Sequence, residues 1–101
     1  MTGADVVTDN QDAARFEARV NGEVAELTYR LRAGRLVLTH TEVPSSLGGR
    51  GIGGKLVQAA IDRARQDGLT IVPLCPFARN WLEGHPDAAS DVDIDWGDAA
   101  V

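Results

Sequence analysis

From Arg15 onward the apolar positions recur every second residue. Phe16, Ala18 and Val20 fall on one side and Glu17 and Arg19 on the other, the alternation of a strand half buried in a sheet. Asn21-Gly22 follows as a strong two-residue hairpin signal, and the alternation resumes from Glu23 to Leu31, with Ala25, Leu27, Tyr29 and Leu31 set against Glu26, Thr28 and Arg30. Arg32-Ala33-Gly34-Arg35 reads as a second turn. The third strand, Leu36 to Val43, begins apolar on both sides and ends polar at His40, Thr41 and Glu42. His40 sits on the same face of this strand as Leu36 and Leu38.

After Pro44 the period changes. Leu56, Val57, Ala60, Ile61 and Ala64 fall at helical spacing, with Lys55, Gln58, Asp62, Arg63, Arg65 and Gln66 on the other side. Gly68 then stands where a helix is closed by a residue of positive φ. Leu69 to Cys75 is a nearly continuous apolar run, as in a strand buried on both faces. Pro73 within it removes one ladder donor, so this strand should bend or part from a neighbour there. Pro76 suits the first position of a second helix, with Cys75 as its cap and Phe77, Ala78, Trp81 and Leu82 as its inner stripe. Gly84 and Pro86 end that helix, and His85 reads as a terminating surface residue.

The expected fold class is α/β (α+β), a mixed, mainly antiparallel sheet with two covering helices. The first helix carries the chain over to a parallel last strand. Residues 1–14 read as a flexible, acidic lead-in, with Val6 to Thr8 as its one stretch of strand character, suited to a sheet edge. Residues 15–86 form the domain and 87–101 an acidic, poorly ordered tail.

With 101 residues and a net charge of −5, the chain is one domain without the clustered Lys and Arg that phosphate backbones require. Nucleic acid is therefore not an expected partner. No apolar stretch is long enough to span a bilayer and no basic-then-apolar leader opens the chain, so the expectation is a soluble, cytoplasmic protein with no membrane partner. One cysteine and two histidines, His40 and His85, lack the spacing of a structural metal centre, and no metal is expected.

Candidate chemistry gathers where the third strand meets the first helix. Gly48 to Gly54 holds five glycines in seven residues, a strand–loop–helix arrangement able to offer backbone N–H groups to a phosphate. Such a density of glycine is costly in chain entropy and exceeds what a plain turn needs. Gly49 to Gly54 satisfies the G-x-G-x-x-G spacing. A dinucleotide fold, however, would place this loop in its first βα turn and an acid near the end of the next strand, where this chain has Leu74 and Cys75. Gly49 to Lys55 satisfies G-x-x-x-x-G-K, but Leu56 follows where the P-loop has a Ser or Thr for Mg²⁺.

A third reading fits better. Gly49-Arg50-Gly51-Ile52-Gly53, following an antiparallel sheet, resembles motif A of the GCN5-related N-acetyltransferases, where Q/R-x-x-G-x-G/A cradles the pyrophosphate of acetyl-CoA. Gly51 and Gly53 stand at its two small positions, and Gly48 occupies the place of the usual Gln or Arg. Arg15-Phe16-Glu17, Tyr29, His40-Thr41-Glu42-Val43-Pro44, Pro73-Leu74-Cys75-Pro76-Phe77 and His85-Pro86 extend the resemblance, over roughly residues 15 to 86, to the small single-domain members of that family.

The resemblance implies a minimal form of the family's fold, acetyl-CoA as co-substrate, and transfer of acetyl to an amine acceptor, a small molecule or a protein lysine. It implies a cofactor site of Glu42, Val43, Gly49, Arg50, Gly51, Ile52, Gly53 and Gly54, with Arg50 and Lys55 adding positive charge. His40 is the candidate general base, with Glu42 as the alternative. Cys75, at a helix N-terminus where the dipole favours thiolate, is a candidate either to take the acetyl group or to protonate the departing thiolate. The bland readings are a core histidine, a small core cysteine and a core Trp81. The alternative function is a non-catalytic acyl-CoA-binding or sensing module.

Overall fold

The structure is a computed structural model and describes residues 7–49 and 51–97. Five strands lie in the order β1-β2-β3-β4-β5: β1 (Val7–Asn10), β2 (Arg15–Val20), β3 (Glu23–Arg32), β4 (Arg35–Glu42) and β5 (Thr70–Pro73). The first four are antiparallel neighbours and β5 runs parallel to β4. Between them α1 (Ile52–Asp67) makes the crossover, and α2 (Pro76–Gly84) follows β5. The mixed sheet with two helices is the expected fold class.

The alternation of β2 and β3 does what the pattern required. Phe16, Ala18 and Val20 pair across with Leu27, Ala25 and Glu23, and the apolar members are buried. Leu36, Leu38 and Ile71 continue that face. Leu56, Val57, Ala60, Ile61 and Ala64 of α1 and Ala78 and Leu82 of α2 join the same core cluster. Both helices therefore cover one face of the sheet, and the opposite face carries Arg19, Arg30, His40 and Glu42 in exposed positions.

One irregularity in β4 redirects the site. Tyr29 pairs with Leu38 and Thr28 with His40, so Thr39 is an extra residue, a bulge. The Thr39 side chain fills the gap, its hydroxyl donating to the Thr28 carbonyl at 3.2 Å. Beyond it the faces are exchanged. Thr41 now pairs with Leu27 on the helix side, and His40 and Glu42 pair with Thr28 and Glu26 on the uncovered side. The expectation that His40 shares the face of Leu36 and Leu38 is corrected by this one residue.

The structure continues on either side of residues 15–86. Val7–Asn10, within the expected lead-in, is an edge strand on β2; Val6 lies outside the described residues. Past α2, the Pro86–Ala89 turn packs on the domain, with Ala89 buried. Ile94 then forms a parallel bridge with Ile71, so that β5 has a neighbour on its outer side. Arg35 holds Asp95 at 2.5 Å, Arg65 holds Asp91 at 2.7 Å, and Arg79 donates to the Trp96 carbonyl at 2.7 Å. The acidity of this segment supplies carboxylate partners for Arg35 and Arg65.

On the uncovered face Glu17 is 6% exposed, receiving Arg15 Nε at 2.5 Å and Asn10 Nδ2 at 3.3 Å. The Arg15 hydrogen bond holds its carboxyl below the usual carboxylate range. A depressed folded-state pKa gives stability that is complete above the unfolded value, about 4.3, and is lost as pH falls through the folded one. Denaturant unfolding between pH 6 and 2 should therefore show a smaller acid loss for Glu17→Gln than for the unsubstituted chain. Equal slopes would mean that Glu17 is ionised alike in both states.

Candidate functional site

Pro73 ends β5. The N–H groups of Leu74 and Cys75 both donate to the Leu38 carbonyl at 3.0 Å. From Thr39 to Glu42, β4 continues without β5 beside it. The parting expected from a proline in the run thus lies beside the polar end of β4. There Thr41, turned inward by the bulge, places Oγ1 3.0 Å from Cys75 Sγ. Cys75 caps α2 with Pro76 at its first position, as the sequence suggested, and is 4% exposed.

Two residues further along each arm from this pair, Val43 and Phe77 line a cleft of about 640 Å³, a size common for small-molecule sites. Leu47, Gly48, Gly49 and Gly51 to Gly54 form its rim beside the start of α1, and Lys55, Gln58 and Trp81 complete it. The first intrahelical hydrogen bond of α1 runs from Lys55 N–H to the Gly51 carbonyl. The N–H groups of Ile52, Gly53 and Gly54 consequently have no partner within the helix, and they stand at its positive end.

Four of the five glycines here have a local reason. Gly49 and Gly51 take φ of 82° and 72°, the left-handed region that side chains resist. Gly53 and Gly54 lie inside α1, where the constraint is space: a Cβ would meet Phe77 Cζ and Trp81 Nε1 at 2.5 Å each. The glycine density therefore follows from the turn and from two aromatic rings packed on the helix backbone. The cleft itself, and the free amides beside it, are what point to a ligand.

Of the residues named from the sequence, Val43, Gly49, Gly51, Ile52, Gly53 and Gly54 are gathered at this cleft, and Arg50 lies outside the described residues. Glu42 is turned to the uncovered face, where its carboxylate accepts from His40 Nε2 at 2.9 Å. The His40 side chain is 64% exposed. His40 and Cys75 thus lie on opposite faces of the sheet, on either side of the end of β4 that β5 has left. The sequence pattern does not mark Phe77, Gln58 and Leu47 as cleft residues, and Trp81, expected in the core, packs against the core and also lines the cleft. The available signal was the spacing of Phe77 and Trp81, one helical turn apart, against two adjacent glycines opening a helix.

Among the described residues no three His, Cys, Asp or Glu side chains converge as a metal set, and no helix is long and apolar enough to cross a membrane.

Comparison with known proteins agrees with this geometry. A GCN5-related N-acetyl-transferase family model matches residues 15–92. Protein NATD1 of Mus musculus is 32% identical over 83 residues, spanning 79% of this chain and 76% of the relative. Protein NATD1 of Homo sapiens is 35% identical over 75 residues, 71% of this chain and 66% of the relative. A GCN5-like protein of Staphylococcus aureus, solved in solution by NMR, superimposes with a TM-score of 0.69 at 32% identity, covering 92% of this chain and 90% of its own. With the parted β4 and β5, the cleft at the start of α1 and a family match over most of its length, the chain belongs to the GCN5-related N-acetyltransferases.

Proposed function

We propose that this chain is a cytoplasmic N-acetyltransferase that takes acetyl-CoA in the cleft and passes its acetyl group to a primary amine, of a small molecule or a protein lysine. The observation that carries the reading is the continuity of two features. The cleft at the positive end of α1 includes Val43 and Phe77, two residues from where β5 leaves β4, and there Cys75 and His40 flank one stretch of strand that has β3 but not β5 beside it.

In this reading the N–H groups around Gly49 to Gly54 receive the pyrophosphate. Lys55 adds charge from the second half of the same helical turn. Val43, Leu47 and Phe77 face the aliphatic arm. The backbone of β4 near Thr41 to Val43, on the side that β5 has left, donates an N–H to the thioester oxygen as negative charge develops on it. The amine approaches from the uncovered face, beside His40 and Glu42. Its nitrogen bonds to the acetyl carbon and the C–S bond breaks. The amine proton goes to His40, which Glu42 orients, and the departing thiolate takes the Cys75 proton, to be returned from solvent. Burial of Cys75 and its contact with Thr41 favour this proton-donor role over that of an acyl carrier.

A ligand held only by the native state raises the melting temperature, by about 2.7 kcal/mol at a hundred times its Kd. For a domain of this size that is about 10 °C or more, and acetyl-CoA at millimolar concentration is expected to produce such a shift. An unchanged melting temperature overturns the proposal. Intact-mass measurement after incubation with acetyl-CoA should show no Cys75-dependent acetyl adduct. An adduct lost in Cys75→Ala would replace direct transfer by an acyl-cysteine route.

A further inference from the structure

The cleft combines two kinds of wall. Val43 and Phe77, each two residues from the Thr41–Cys75 contact, line it together with Leu47, and the start of α1 brings its free amides to it. One turn further along α2 stands Trp81, with Gln58 of α1 also lining the cleft.

Trp81 is fixed on two sides. Its Nε1 edge abuts Gly54, where even a methyl group would not fit. The His85 ring stacks on the indole with centroids 4.0 Å apart and planes 14° from parallel. His85 is itself held, its Nδ1–H donating to the Trp81 carbonyl at 2.8 Å. A rigid indole with a partner already stacked on it, on the wall of a cleft, is suited to receive a second planar ring. Gln58 spends an Nε2 hydrogen on Asp62 at 3.2 Å, which orients the side chain and leaves its carbonyl oxygen to accept from an amino group.

From this we infer that Trp81 and Gln58 seat the adenine of acetyl-CoA, the base stacking on the indole and its exocyclic amine donating to Gln58 Oε1. The inference rests on the acetyl-CoA reading and adds a base-recognition element to it. Stacking supplies affinity for any flat base, and an amide side chain is the natural partner of an adenine edge. Gly54 gains a purpose in this arrangement: by admitting the indole edge against the backbone, it sets the ring beside the amides that hold the phosphates.

The test compares acetyl-CoA with S-acetyl-4′-phosphopantetheine, which keeps the thioester arm and one phosphate but lacks the 3′-phospho-AMP half that carries the adenine, so that the variants at Trp81 and Gln58 separate the base from the two phosphates lost with it. Calorimetric titration of the unsubstituted chain should show acetyl-CoA bound at least about tenfold tighter. Trp81→Leu should lower acetyl-CoA affinity about tenfold and leave phosphopantetheine binding unchanged, and Trp81→Phe, which keeps an aromatic plane, should retain most of the affinity. Gln58→Leu should weaken acetyl-CoA alone. If Trp81→Leu weakens both ligands alike, the ring is only a wall and the inference falls. Equal affinity of the unsubstituted chain for both ligands also overturns it, needs no variant to fold, and leaves the acetyl-CoA reading standing. Binding of neither ligand overturns both.

Discussion

Leu56→Ala is expected to cost about 3 kcal/mol, within the range of 2–5 kcal/mol for truncating a buried leucine. Leu56 is fully buried, one turn into α1, on the side that rests against the sheet. It also lies one residue beyond Lys55, where the helical hydrogen bonds begin, so the side chain that anchors the helix is beside the amides that face the cleft. Truncation removes dispersion contacts from a close-packed layer that includes Leu27, Leu38 and Ile61. At about 4–8 °C per kcal/mol for a domain of this size, the melting temperature should fall by about 12–24 °C. Leu31→Ala, at a position 49% exposed, should stay within about 0.5 kcal/mol and serves as the control. A cost below about 1 kcal/mol for Leu56→Ala would mean that α1 is not seated on the sheet as described.

The contrast between Leu56 and His40 shows which parts of the molecule were legible in the sequence. Leu56 repeats with Val57, Ala60 and Ile61 at helical spacing, and periodicity alone identifies their buried side. The same holds for Phe16 to Val20 and for Ala25, Leu27 and Tyr29, whose period of two survives into the structure. His40 was misplaced because a period is only as good as its phase. The bulge at Thr39 adds one residue to β4 and exchanges the faces beyond it, and Thr-His-Thr carries no glycine or apolar marker of the slip. The cleft was half legible. Its glycines announced a special backbone, but Gly53 and Gly54 are small because of Phe77 and Trp81, over twenty residues later, and local patterns carry no record of such pairings. The C-terminal segment was misread for a related reason, since Asp91 and Asp95 look like solvent-seeking charges until Arg65 and Arg35 are brought to them.

The exchange of faces also shapes the proposed chemistry. Had β4 run without the bulge, His40 would stand opposite Leu27 on the covered face, crowded beneath the helices. With it, Thr41 takes that place and contacts Cys75, while the His40–Glu42 pair faces open space. A strand carrying a base on one face and a hydroxyl on the other can serve two ligands at once, one held under the helices and one arriving from solvent.

The second large effect is expected at Arg63, which ties α1 to the opposite edge of the sheet. Arg63 Nη1 meets Asp9 Oδ2 at 2.5 Å and its Nε meets Asp67 at 2.6 Å, while the Tyr29 hydroxyl donates to Asp9 Oδ1 at 2.6 Å. These partners hold the guanidinium pKa above its ordinary value, the Asp67 hydrogen bond first among them, and burial together with Asp9 raises that of Tyr29. Arg63→Met keeps the aliphatic stem but leaves Asp9 facing Tyr29 without its counter-charge. Breaking one side of a fully buried ion pair costs about 3–5 kcal/mol. Asp9 keeps some access to water, so about 2 kcal/mol is expected, a fall of about 8–16 °C in melting temperature. The double variant Asp9→Asn with Arg63→Met should recover about half of the loss, because the stranded carboxylate is removed with its partner. β1 is only four residues long and sits at the edge of the sheet, so its amides should lose hydrogen-exchange protection in Arg63→Met before those of β3 do. Strictly additive losses in the double variant would show that Asp9 and Arg63 contribute to stability independently, and that β1 is held by its ladder to β2 alone.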